Sequence, residues 1–166
     1  MIKKWARSAV ATLAMLATAG VVVVAAPSPA VAAPSCSGSN CTNRNPDTNG
    51  CAPDGRTVAE AWYSMNSVRL ELRRSTACNA LWARMTQTVT GTQFRIQSLR
   101  IERQENFNDG DGYQPTHTFY KPFSGEYHQQ IQVWTNMVSG HSSRDRARAC
   151  WQNFPGEVYN CTGWAG

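Results

Sequence analysis

Three histidines, His117, His128 and His141, are the first residues to weigh, because imidazole exchanges its proton near neutral pH. They could form a site with Asp109, Asp111 or Glu126. Three histidines in a domain of this size are commonplace. No Gly-x-Ser-x-Gly elbow, no His-Glu-x-x-His pair and no phosphate-binding Gly-rich loop accompanies them. Glu102 and Glu105 have the look of a glycosidase carboxylate pair, but they sit at a strand end among arginines, where surface charge is the stronger reading. The stretch "NDGDGY", residues 108–113, resembles a fragment of a calcium loop. Its first ligand would fall on Phe107 and its twelfth on Thr118, which fails the EF-hand rule, so a Gly-rich Asx turn fits better than a looser calcium site. The sequence thus assigns no catalytic residue, no metal and no cofactor. It leans away from an enzyme, with a small secreted hydrolase as the alternative.

Recognition is the other chemistry. In "QQIQVWTNM", Ile131, Val133 and Met137 alternate with Gln130, Gln132, Trp134 and Asn136. If the first set faces a core, the pleat turns the second set outward. Amides beside an indole suit a sugar: the ring packs on a pyranose face, and the amides donate to and accept from hydroxyls. These four residues are the candidate ligand-binding set. An envelope polysaccharide is the expected partner and an extracellular protein the other choice. The opposing expectation is that Trp134 packs under a second sheet or a loop.

An envelope partner requires export, and the N-terminus supplies the signal. "MIKKWARS" is basic, residues 10–26 are apolar, and "PSPAVAAPS" is small and Pro-rich. That three-part order reads as a secretory signal peptide over residues 1–32, cleaved after Ala32. The leader holds three of the sixteen basic residues and none of the eleven acidic ones, which leaves a mature chain of net charge +2. Twelve of its thirteen basic residues are arginine. Mixed signs without a basic cluster exclude nucleic acid as the expected partner. The mature form is expected to be an extracellular monomer that makes no membrane contact.

All six cysteines, Cys36, Cys41, Cys51, Cys78, Cys150 and Cys161, lie beyond the leader. An even count in an exported chain reads as three disulfides, and the spacings do not match a zinc site. Six cysteines allow fifteen pairings. Cys150 and Cys161 are expected to pair, because "NFPGE" can turn the chain between them. The other four then pair among themselves.

The elements that must position these groups follow from periodicity. Residues 33–56 contain almost nothing apolar and form a Cys-rich loop segment that only cross-links can pin. Residues 57–166 read as a β domain. "VRLELRRS" alternates Val68, Leu70 and Leu72 with Arg69, Glu71 and Arg73, which predicts a strand with a solvated charged face. Cys78 would tie its end to the Cys-rich loop. "ALWARMTQTV" puts Trp82 and Arg84 on one face and Leu81, Ala83 and Met85 on the other. "QFRIQSLRIER" alternates in two registers, which predicts one strand with a bulge at Gln97-Ser98. "QENFNDGDGYQPT" reads as a surface loop, and "RDRARACWQ" alternates arginine with small residues. The fold class is all-β: a small disulfide-stabilised antiparallel β-sandwich or barrel with a Cys-rich N-terminal loop segment.

The pattern C-x4-C-x4-P-x3-G-C-x2-D-x2-T-V, from Cys36 to Val58, resembles the YjfA-like family of exported bacterial proteins, a domain of unknown function numbered 2690. Glu71, Arg73, Ser75, Cys78, Trp82 and Arg84 match its next block, and "RARAC" ending at Cys150 its last. Arg74 and Thr76 stand where that family usually has an aromatic residue and a proline. The resemblance implies secretion and a cysteine-linked β fold. It implies no activity and no catalytic residues.

Overall fold

The structure is a computed structural model. It describes residues 33–63, 67–88, 94–95, 97–106, 113–122, 126–127, 131–140, 144–152, 156 and 158–166, with the backbone alone at 94–95, 113–122 and 126–127. Residues 1–32, read from sequence as a signal peptide, and Gln130, His128, His141, Asp109 and Asp111 lie outside the described residues, as do the side chains of His117 and Glu126.

A 3-10 turn at Gly38–Cys41 precedes eleven strands: β1 (Arg56–Tyr63), β2 (Val68–Ser75), β3 (Ala80–Gln87), β4 (Phe94–Arg95), β5 (Ser98–Asn106), β6 (Tyr113–Pro122), β7 (Glu126–Tyr127), β8 (Ile131–Trp134), β9 (Val138–Ser139), β10 (Asp145–Gln152) and β11 (Asn160–Cys161). The first sheet runs β1-β2-β3-β8, with β9 also on β3; the second runs β11-β10-β5-β6; β4 and β7 form a small third ladder. Every pairing is antiparallel.

The two larger sheets face each other as a sandwich. Val68, Leu70 and Leu72 of β2 and Leu81, Ala83 and Met85 of β3 meet Leu99 and Ile101 of β5 and Ala147, Ala149 and Trp151 of β10. These are the apolar halves of the alternations, and burying each large side chain contributes about 1.5–3 kcal/mol. Tyr63 closes one end: its hydroxyl donates to the Cys161 carbonyl at 2.7 Å, and its ring meets Trp151 edge-on at 5.8 Å.

Three expectations change. The segment predicted as one bulged strand is two strands in different ladders. β4 pairs with β7, while β5 begins at Ser98 beside β10 and β6. The slip in alternation marks the point where the chain changes ladders. The predicted loop over 104–116 is shorter, because Gln104–Asn106 pair with Tyr113–Pro115. Pro115 lies opposite Gln104 next to a register shift, in β6 at the edge of the second sheet, the kind of position where proline is tolerated. Met137, expected in the same core as Ile131 and Val133, lies elsewhere. β8 stops at Trp134, and Met137 is buried in a second cluster among cysteines.

Candidate functional site

The outward face of the first sheet carries the chemistry-bearing residues. Cross-strand register sets them in rows. Trp62, Arg69, Thr86 and Gln132 face one another from β1 to β8, and Glu60, Glu71, Arg84 and Trp134 form the next row. Arg73 and Trp82 pair in the row beyond. With adjacent strands about 4.8 Å apart, four strands span about 14 Å.

Glu71 is the hub. Arg84 grips it in a fork, Nε to Oε2 at 2.7 Å and Nη2 to Oε1 at 2.9 Å. The Thr57 hydroxyl donates to Oε1 at 2.6 Å, and Arg69 and Arg73 stand 3.4 and 3.5 Å from the same oxygen. Arg69 also donates to Glu60. The predicted solvated face is therefore corrected: Glu71 is fully buried, at 1 % side-chain exposure. The arginines and the N-terminal segment cover it. Burial alone would raise its carboxyl pKa, but the hydrogen bonds from Arg84 and Thr57 and the charges of Arg84 and Arg69 outweigh that and hold it below the usual range. Burial and the nearby Arg84 charge push the Arg73 pKa down.

The segment that covers this face has almost no apolar content beyond its cysteines and is fastened by other means. Cys36 bonds Cys41, and Cys51 bonds Cys78 at the β2–β3 turn. Asp54 accepts from the Ser75 hydroxyl and, at 2.8 Å, from the Ala77 N–H. Burial would raise the Asp54 pKa, but these bonds outweigh it and hold it low. Backbone bonds join Asn43 to Met137, Met137 to Arg44, and Gly38 to Cys78. Gly55 lies so close to Trp82 that a Cβ there would fall 2.6 Å from the indole, and its carbonyl accepts from Arg73. The four cysteines, Ala80, Trp82 and Met137 form a second core with Trp134 packed on it. The four sulfurs lie within 4.8 Å of one another, but pairing leaves them no thiolate to offer a metal.

Between this cover and the sheet lies a cavity of about 100 Å³ lined by Pro46, Asp47, Ala52, Arg73, Trp82, Arg84, Gln132 and Trp134. Two of the four sequence-predicted ligand residues reach it. Gln132 is exposed and donates to the Thr86 hydroxyl at 3.2 Å; Trp134 is half-buried, with its N–H 3.4 Å from Asn45 Oδ1. Asn136 lies past the end of β8, exposed, and donates to Asn43 Oδ1 at 3.0 Å. Gln130 is outside the described residues. Sequence reasoning missed Arg73, Arg84, Trp82 and Asp47 as members. The shared face of Trp82 and Arg84 was the available signal, but register across strands is what brings it beside Gln132 and Trp134.

The other candidates separate. Glu102 and Glu105 are three apart on β5, so the pleat turns them to opposite faces and they are not a carboxylate pair. Glu102 instead binds Arg100 and Arg148. Cys150 and Cys161 are directly opposed on β10 and β11 and form the third disulfide.

Residues 39–150 match the family model described as "Protein of unknown function (DUF2690)", so the chain belongs to that family. No curated protein and no solved structure matches it.

Proposed function

We propose that this DUF2690 protein is an exported, non-catalytic binding module that holds an envelope polysaccharide on the outward face of its first sheet. The observation that carries the reading is the placement of Gln132 and Trp134 on one face of β8 at a cavity that a second indole, Trp82, also lines. An indole offers its face to the apolar side of a sugar ring, and an amide serves hydroxyls as donor and acceptor. Trp62, 44 % exposed, and Thr86 extend the same surface along the neighbouring row. Three disulfides are consistent with an oxidising compartment. The basic-apolar-small order of residues 1–32 and the resemblance to YjfA-like exported bacterial proteins support secretion from a bacterium. On the described part of this face the carboxylates Glu60 and Glu71 are taken up by arginines, which supports binding over acid–base chemistry.

Capture on insoluble cell-wall material tests the reading. The wild type is expected to sediment with the wall, and Trp134→Ala and Gln132→Ala are each expected to lower the captured fraction. Thermal melts run alongside separate lost contact from lost folding. Capture unchanged in both variants, with unchanged melting, overturns the proposed surface.

A further inference from the structure

We infer that the cavity between Trp82 and Trp134 is a subsite for the carboxylate of an acidic sugar, with Arg84 as the residue that takes it and Arg73 behind it. The inference rests on the polysaccharide reading and names the class of sugar. At about 100 Å³ the cavity admits one substituent of a sugar ring, not a whole oligosaccharide. Its polar lining is dominated by two guanidinium groups that share a single carboxylate, Glu71.

That sharing leaves donors over. Arg84 spends Nε and Nη2 on Glu71, and its Nη1 makes no hydrogen bond among the described residues. Arg73 gives its two Nη groups to the Thr57 hydroxyl and the Gly55 carbonyl, both neutral, and its buried Nε has no partner. A guanidinium keeps its proton, so a buried donor without an acceptor costs free energy that an incoming anion offsets. The Nη1 group of Arg84, left over from the fork that holds Glu71, can donate a charge-assisted hydrogen bond to one oxygen of an incoming carboxylate, and the low-dielectric walls of two indoles strengthen the contact. Gln132 and Thr86, hydrogen-bonded to each other beside the cavity, lie where the hydroxyls of the same ring would fall.

Asp47, the exposed acid of the lining, opposes the anion. Its charge lowers affinity for an acidic sugar and leaves a neutral one unaffected, so it provides a test that does not disturb the core.

Isothermal titration of the secreted protein, disulfides intact, uses trigalacturonate and its carboxyl-reduced counterpart as probes. The acidic trisaccharide is expected to bind about tenfold more tightly than the reduced one. Asp47→Asn is expected to raise the preference for the acidic over the reduced probe about threefold. Trp134→Ala is expected to weaken both. Equal affinity for the two probes overturns the carboxylate subsite and leaves the polysaccharide reading standing. An acid preference that ignores both substitutions places the anion elsewhere and also overturns it. Binding of neither probe overturns the subsite; if wall capture is also lost, the polysaccharide reading falls with it.

Discussion

Glu71 and Glu102 are each held by arginines on the outward face of a sheet, yet only one of them is sealed. Glu71 has 1 % of its side chain exposed, and a disulfide-fastened segment covers the face around it. Glu102 keeps 14 %, between Arg100 and Arg148. Its neighbours are capped by single rings, Tyr159 over Arg100 and Trp164 over Arg146 and Arg148. The residue types and the alternation are the same on β2 and β5. What differs is the chain that returns over them: one return carries two disulfides and is packed into a second core, and the other is tied to β10 by the single Cys150–Cys161 disulfide and covers its arginines with single rings. A charged strand face becomes interior or surface according to its cover.

The largest expected effect follows from that cover. Glu71→Ala removes the sealed carboxylate of the cluster and leaves Arg73, 14 % exposed, and Arg84, 22 % exposed, without their shared anion. Removing one partner of a buried ionic cluster costs about 3–5 kcal/mol, so chemical denaturation is expected to show a loss in that range. Glu71→Gln keeps the shape and one acceptor and is expected to lose less. A loss below about 1 kcal/mol for the alanine variant would mean that the cover does not seal the cluster, and the contrast between the two glutamates would collapse.

A titration sharpens the same contrast. The folded pKa of Glu71 lies below its unfolded value, so its ionised form contributes stability that is fully present above the unfolded pKa, about 4.3. That stability is lost as pH falls through this value toward the depressed folded one. Asp54, which fastens the cover, acts in the same direction. Melting temperature is expected to fall between pH 5 and pH 3, within the acid range where paired carboxylates protonate. The Glu71→Gln variant is expected to show a flatter acid limb from a lower neutral plateau. Identical limbs would remove Glu71 as a source of acid sensitivity.

The inner face of the first sheet was legible because period-two alternation reports burial on one side directly. Val68, Leu70 and Leu72, and Leu81, Ala83 and Met85, all lie where the pattern put them. The outer face was not legible, because the segment over it, residues 33–56, has no apolar pattern to advertise a buried side. Its burial comes from sulfur and from polar groups that bond to the sheet. Arg73, Arg84 and Trp82 were each visible as strand residues, but their meeting with Trp134 and Gln132 depends on β8 pairing with β3 so that Trp134 opposes Arg84 and Gln132 opposes Thr86, a register that no local signal reveals. Likewise the slip between Phe94 and Leu99 had two physical causes that look alike in sequence, a bulge and a change of ladder.

The smallest effect belongs to Glu102. Its partners Arg100 and Arg148 are about a quarter exposed, at 24 % and 30 %, so water answers their charge when the carboxylate goes. Tyr159 and Trp164 continue to stack on the guanidinium groups, because a cation–π contact needs the ring and the charge but not the carboxylate. Glu102→Ala is therefore expected to cost about 0.5–1 kcal/mol, and less in high salt, where exposed pairs are screened. Glu71→Ala is expected to respond less to salt, since the Glu71 carboxylate is sealed from solvent. Measuring both variants at low and high ionic strength thus reads the cover itself. If Glu102→Ala proves as costly as Glu71→Ala and as insensitive to salt, the returning C-terminal residues seal the second sheet as firmly as the disulfides seal the first, and the number of cross-links does not decide which charged face is interior.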